Sequence, residues 1–236
     1  ERPAFLDAGR LKTFDVVLAN PPYSIKQWNR DLFANDPYGR NFLGTPPQGR
    51  ADYAFIQHLL KSMDPKTGRC AILLPHGVLF REEEREMRRN LVESDLLEAV
   101  IGLGPNLFYN ASMEACIMIC RSSKNAERAG KVLFVDAKNE VERKNAESKL
   151  TAKHIGKIVA AYRAFKNDAH FAHVASNGDI RAKDGNLAIQ MYMTSESLTG
   201  QEKADLSTVV TAWENSSVET AAALQALSKL FGGALP

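Results

Sequence analysis

No apolar run in this chain of 236 residues approaches the ~20 residues that a membrane-spanning helix needs. Such runs as Cys70 to Leu74 and Val78 to Phe80 are short and are cut by Pro75-His76-Gly77. No signal-peptide pattern is visible either, so the expected location is cytoplasmic. Cysteine is scarce: Cys70, Cys116 and Cys120 each sit inside an apolar run. On one strand Cys116 and Cys120 would stand ~13 Å apart, too far for a disulfide, and all three read as buried thiols of a reducing compartment. None of the five histidines has ligand spacing to them, which argues against a metal centre. The net charge is only +2, which excludes a uniformly basic coat for nucleic acid and leaves room for a local basic surface. With 44% hydrophobic residues, the chain can build one large domain or a domain with an appendage.

The stretch Phe14-Asp15-Val16-Val17-Leu18-Ala19-Asn20-Pro21-Pro22-Tyr23 organises the rest. Val16 to Ala19 reads as a strand covered on both faces of a parallel sheet. Pro21 and Pro22 end it, because neither can donate a ladder hydrogen bond and each fixes its own φ. Open α/β sheets bind ligands at the carboxyl ends of their strands. This loop offers carbonyls, the Asn20 amide oxygen and few donors, which suits a ligand with two N–H groups, such as an exocyclic amino group. Tyr23 adds a flat face on which a base can stack, worth roughly 1–3 kcal/mol.

At these residues the sequence resembles the amino-methylating DNA methyltransferases, whose catalytic loop reads Asp/Asn/Ser-Pro-Pro-aromatic. The resemblance implies that a target adenine is flipped out of the duplex and stacked on Tyr23. The Asn20 side-chain oxygen and the Pro21 carbonyl would accept its amino protons, with S-adenosylmethionine as methyl donor.

Residues 24 to 51 are rich in turn formers, as in a functional lid or a mobile insertion, and Lys26, Arg30, Arg40 and Arg50 are candidates to meet phosphates. From Ala51 a helix follows, with Phe55, Ile56, Leu59, Leu60 and Met63 at helical spacing, ended by Asp64-Pro65-Lys66-Thr67-Gly68. Arg69 to Pro75 is a second buried strand, which completes a βαβ unit. Glu82 to Arg89 reads as a helix with Met87 and Leu91 inward and its charges solvated. Leu97 to Leu103 and Ala115 to Cys120 are strands with too little chain between them for a helical crossover, so they should pair antiparallel.

The resemblance narrows to the modification subunit of type I restriction-modification systems. There Asn-Pro-Pro-aromatic, Asp-Tyr-Ala-Phe, Leu-Pro-x-Gly-Val-Leu-Phe-Arg and Gly-x-x-x-Asn-Leu-Phe-Tyr recur in this order. Here they stand at Asn20 to Tyr23, Asp52 to Phe55, Leu74 to Arg81 and Gly102 to Tyr109. The likeness assigns catalysis to Asn20, Pro21, Pro22 and Tyr23, cofactor contact to Asn20 and Phe55, and base stacking to Tyr23 and Phe108, with Tyr109 the second choice. Phe55 reads equally well as a core residue of its helix. The Gly-rich cofactor loop and the acidic residue that follows in this class would both precede Asn20, and only thirteen residues precede Phe14. Gly102-Leu103-Gly104 is no substitute, since it leads into Pro105-Asn106 and not directly into a helix. The expectation is a C-terminal half, inactive alone, whose first strand is an open edge prone to self-association.

Beyond Arg121 the composition changes. Between Arg121 and Lys166 twelve basic residues face five acidic ones, net +7, the best local candidate for a DNA-backbone surface. Thr151 can cap a helix striped by Ile155, Ile158, Val159, Tyr162 and Phe165, and Leu187 to Met193 is strand-like. Thr199 to Pro236 reads as two helices, with a capping box at Ser216 to Glu219 and Thr220, Leu224, Leu227 and Phe231 at coiled-coil spacing.

The expected fold is therefore α/β, a partial Rossmann-like methyltransferase sheet of parallel strands ending in an antiparallel pair, with a mainly helical C-terminal extension. The expected domains are 1–121, catalytic; 122–198, a basic α/β extension; and 199–236, a helical tail for subunit contact. The implied partners are DNA and the specificity and restriction subunits. Two other readings remain open at this point, a protein glutamine-amide methyltransferase and a non-catalytic assembly module.

Overall fold

The apolar runs read from the sequence become neighbouring strands. In the computed structural model, which describes residues 2–108, 113–144 and 147–193, a hairpin of β1 (Leu6–Asp7) and β2 (Arg10–Leu11) precedes β3 (Val16–Ala19). Then come α1 (Arg30–Ala34), α2 (Asp52–Lys61), β4 (Arg69–Pro75), α3 (Arg85–Glu93), β5 (Leu97–Leu103), β6 (Ala115–Arg121) and β7 (Lys131–Ala137). A second hairpin, β8 (Glu142–Lys144) and β9 (Glu147–Lys149), leads to α4 (Ala152–Ala164), β10 (Ala172–Ser176), α5 (Asn177–Ala182) and α6 (Gln190–Met193). The expected helices of 199–236, with the Ser216 to Glu219 box, lie outside the described residues, as does Tyr109.

Six strands form one sheet in the order β10-β7-β5-β6-β4-β3. β3 runs parallel to β4 and β5 parallel to β7. The expected antiparallel pair of β5 and β6 forms, and β6 also pairs antiparallel with β4 from Arg69↔Arg121 to Pro75↔Ala115. The pair therefore sits inside the sheet, which β7 and β10 carry on past residue 121. Parallel β3, β4, β5 and β7 direct their carboxyl ends to one side, and Asn20, His76 and Gly104 follow three of those ends.

Two apolar layers hold the sheet. On one face Tyr53, Ile56 and Leu60 of α2, Met87 and Leu91 of α3, and Leu187, Ile189 and Tyr192 pack on Cys70, Ile72, Leu74, Cys116, Met118, Cys120 and Phe134. On the other, Ile158 of α4 packs on Ala99, Ile101, Leu103, Leu133, Val135 and Ala137. The cap at Thr151 is present and closed by His154, but only part of the helical stripe is core, since Ile155 and Val159 are 48% and 37% exposed. α4 covers the β5–β7 end of its face. At the β3 end Val16 and Leu18 are 45% and 76% exposed, so the strand expected to be covered on both faces is covered on one. Among the described residues β3 pairs in the sheet with β4 alone, as expected of an open edge.

Two further expectations are corrected. The charged helix is not solvated throughout: Glu84 and Arg88 are buried, Arg88 donating to the carbonyls of Arg81 at 2.6 Å and Gly185 at 3.2 Å. Leu187 to Met193 is not a strand but a strap ending in α6. The Leu187 amide bonds the Leu79 carbonyl, and Tyr192 stacks on Phe134 with ring centroids 3.9 Å apart. Leu187, Ile189 and Tyr192, spaced two and three apart, fit either shape, and all three are buried in the strap. The three cysteines are buried and free, with Cys70 opposite Cys120 in the ladder.

Candidate active site

Asn20 leaves the carboxyl end of β3 with its side chain exposed. Pro21 and Pro22 turn the chain so that Tyr23, three residues on, comes back to it: the Tyr23 hydroxyl donates to Asn20 Oδ1 at 2.9 Å. Burial chiefly, then the neighbouring Cys116 and Asp52, push the Tyr23 phenol above its ordinary value, so it stays a neutral donor. The bond fixes the amide with its oxygen toward Tyr23 and leaves that oxygen a second lone pair. Leu18, Ala19 and Asn20 border a shallow hollow over Ala71, Leu73 and Ile117.

Behind the loop lies a buried charge network. The Ser24 amide donates to Asp52 Oδ1 at 2.7 Å, and Arg81 Nη1 donates to Asp52 Oδ2 at 2.7 Å. Arg81 also stands 3.5 Å from Glu84, whose carboxyl burial pushes up to about 7 against the pull of that guanidinium. Asp52 is the first residue of α2, where its charge suits the helix dipole.

The segment expected to be a lid or a mobile insertion is built around α1. The Asn29 side chain caps it, Trp28 Nε1 donates to the Gln48 carbonyl at 2.8 Å, and Arg30 donates to the Pro46 carbonyl at 2.9 Å. Arg40 is buried and paired with Asp36 at 2.6 Å, which removes it from the candidates for phosphate contact. This segment and α2 enclose a cleft of about 620 Å³ lined by Ile25, Trp28, Phe33, Tyr38, Phe55 and His58. Phe55 is half-buried and lines the cleft, unlike Ile56 and Leu60 of the same helix, which are core. Burial and then Arg40 hold His58 below the ordinary histidine range, so it meets the cleft neutral.

The fold thus keeps Asn20, Pro21, Pro22 and Tyr23 in one loop, and the cleft that Phe55 lines is also lined by Ile25, two residues beyond Tyr23. Phe108 lies half-buried against the second apolar layer beside Leu107. Sequence reasoning missed Ser24, Arg81 and Glu84. The available signal was a lone charge at each end of apolar motifs, Asp52 and Arg81, since buried charges need partners.

Residues 3–201 match the family model described as N-6 DNA Methylase. The chain belongs to the N-6 DNA methylase family. Among curated members it is 35% identical over 190 residues to the type I restriction enzyme MjaVII methylase subunit of Methanocaldococcus jannaschii, covering 76% of this chain and 32% of that protein. It is also 35% identical over 187 residues to the MpnII methylase subunit of Mycoplasma pneumoniae, covering 78% and 34%. The crystal structure of the type I restriction-modification methyltransferase subunit from Streptococcus thermophilus superposes with a TM-score of 0.71 at 37% identity, covering 77% of this chain and 38% of that one. The chain spans about a third of the length of the curated methylases it matches.

Proposed function

We propose that this N-6 DNA methylase chain carries the catalytic loop of an adenine-specific DNA methyltransferase, the modification subunit of a type I restriction-modification system. The observation that carries the reading is the Tyr23 hydroxyl on Asn20 Oδ1 at the end of a parallel strand. It holds an acceptor and an aromatic ring in one rigid loop. Asn20 Oδ1 uses its remaining lone pair, together with the Pro21 carbonyl, to accept the two amino protons of a flipped adenine, and the Tyr23 ring stacks on the base. Prolines at 21 and 22 present no amide hydrogen that would compete. Holding the amino group in line matters more here than a strong base, because orientation alone removes several kcal/mol of barrier.

The cofactor of this reading is S-adenosylmethionine, which supplies an activated methyl group. Of the residues lining the cleft, Trp28, Tyr38 and Phe55 would hold its flat purine by their aromatic faces, and His58, held neutral by burial, would meet it at the wall. Phe108 is proposed as a second aromatic beside the flipped base. DNA and the specificity and restriction subunits are the proposed partners, with the segment Arg121 to Lys166, net +7, as the surface for the DNA backbone, 199–236 as the subunit contact and the open β3 edge as a further site of association.

The test is Asn20→Ala in the complete protein with its subunits. Loss of at least 100-fold in methyl transfer to adenine with DNA binding retained is expected. Full methylation by the variant would overturn the catalytic reading and leave the chain an assembly module.

A further inference from the structure

Asp52 and Arg81 come from two separate motifs, Ser24 directly follows a third, and the three close on one another. Asp52 is 1% exposed and its two oxygens are divided: Oδ1 takes the Ser24 amide at 2.7 Å, Oδ2 takes Arg81 Nη1 at 2.7 Å. Arg81 Nη2 then reaches Ser24 Oγ at 3.4 Å, which closes the triangle. Ser24 directly follows Tyr23 and has φ +49°, a left-handed backbone that side-chain-bearing residues adopt at a cost of roughly 1–2 kcal/mol. A fully desolvated carboxylate on its amide is the kind of contact that holds such a residue there.

The brace is itself held. Arg88, 1% exposed, donates to the Arg81 carbonyl at 2.6 Å, and the Tyr53 hydroxyl donates to the Val78 carbonyl at 3.3 Å, tying α2 to the turn that carries Arg81. Gly77 leaves the guanidinium its space: a Cβ there would lie 2.4 Å from Arg81 Nε and 2.5 Å from Nη2. The glycine and arginine of Leu74 to Arg81 are thus one device, space and the group that fills it.

We propose that Asp52, clamped by Arg81, is the positioning residue of the Asn20–Tyr23 loop, fixing through the Ser24 amide where the Tyr23 ring and the Asn20 oxygen stand. This rests on the catalytic reading of that loop. Neither residue touches the reacting atoms. Their effect falls on the alignment of the acceptors, where a displacement of about 1 Å can cost about 100-fold in rate. A lysine cannot replace Arg81, because a point charge lacks the planar fork that spans Asp52 and Ser24.

The experiment measures methyl transfer in the complete protein for Asp52→Asn, Arg81→Lys, their double variant, Gly77→Ala and Asn20→Ala. Asp52→Asn and Arg81→Lys are each expected to lower kcat about 10- to 100-fold with KM for cofactor and DNA within twofold. The double variant should be no worse than the poorer single one, because the pair acts as a unit. Gly77→Ala, which alters no charge, should lower kcat in the same way by displacing the guanidinium. If Asn20→Ala is inactive and these variants stay within threefold of the parent kcat, the brace is overturned and the catalytic reading stands. If Asn20→Ala is fully active, the catalytic reading fails and the brace with it. Should Asp52→Asn unfold, Arg81→Lys and Gly77→Ala decide, assayed below their melting temperatures. Unfolding of these two as well, or activity that only tracks the folded fraction, overturns the proposal, since the contact would then serve the fold and not the loop.

Discussion

The Tyr23 hydroxyl sits 2.9 Å from Asn20 Oδ1, so the residue that would stack on a substrate base also orients the amide that would grip it. Removing the hydroxyl separates the two roles. Tyr23→Phe keeps the ring and frees the amide, and is expected to reduce kcat by up to about 10-fold, the worth of one hydrogen bond. Tyr23→Ala loses stacking as well and should fall further, by another roughly 1–3 kcal/mol in transition-state stabilisation. Steady-state methylation by the two variants checks the order.

Glu84 makes stability depend on pH. Burial raises its folded-state value to about 7 from an ordinary 4.5, so the folded protein holds this proton more tightly than the unfolded chain does. The resulting stability is fully present below about pH 4.5 and is lost as pH rises through about 7. Glu84→Gln keeps the neutral shape and should remove that loss. At pH 8 the variant is expected to be more stable by up to about 3 kcal/mol, with the two converging at low pH. Denaturant titrations across pH 5–8 would show it.

The cysteines should be inert in the folded protein. Burial pushes the Cys70 and Cys116 thiols up to about 12, and Cys120 well above its usual range. Since the thiolate is the reactive form, none is expected to label with a thiol reagent at pH 8 in native buffer. All three should label in denaturant.

Tyr192 stacks face to face on Phe134, 1% and 0% exposed. Tyr192→Ala should cost about 3–5 kcal/mol, as for large aromatic truncations in cores, and release the strap from Leu79. A fall in the denaturation midpoint with loss of near-ultraviolet aromatic signal would check it.

Much of this protein was legible in its residues. Val16–Ala19, Arg69–Pro75, Leu97–Leu103 and Ala115–Arg121 form where apolar runs end at proline, glycine or charge, and the antiparallel turn of the last pair follows from the shortness of its connection. The loop of Asn20 to Tyr23 was legible too, because proline rigidity and the amide act locally.

What the tertiary structure alone decided is long-range. Asp52 and Arg81 lie 29 residues apart and Ser24 and Asp52 28, distances over which no periodicity reports a contact. That Glu84 and Arg88 are buried, that Leu18 is exposed, and that Phe55 faces a cleft while Ile56 faces the core depend on which neighbours cover each face. A sequence carries the propensity of each element. The burial of a charge and the satisfaction of its partner are set only when the elements meet.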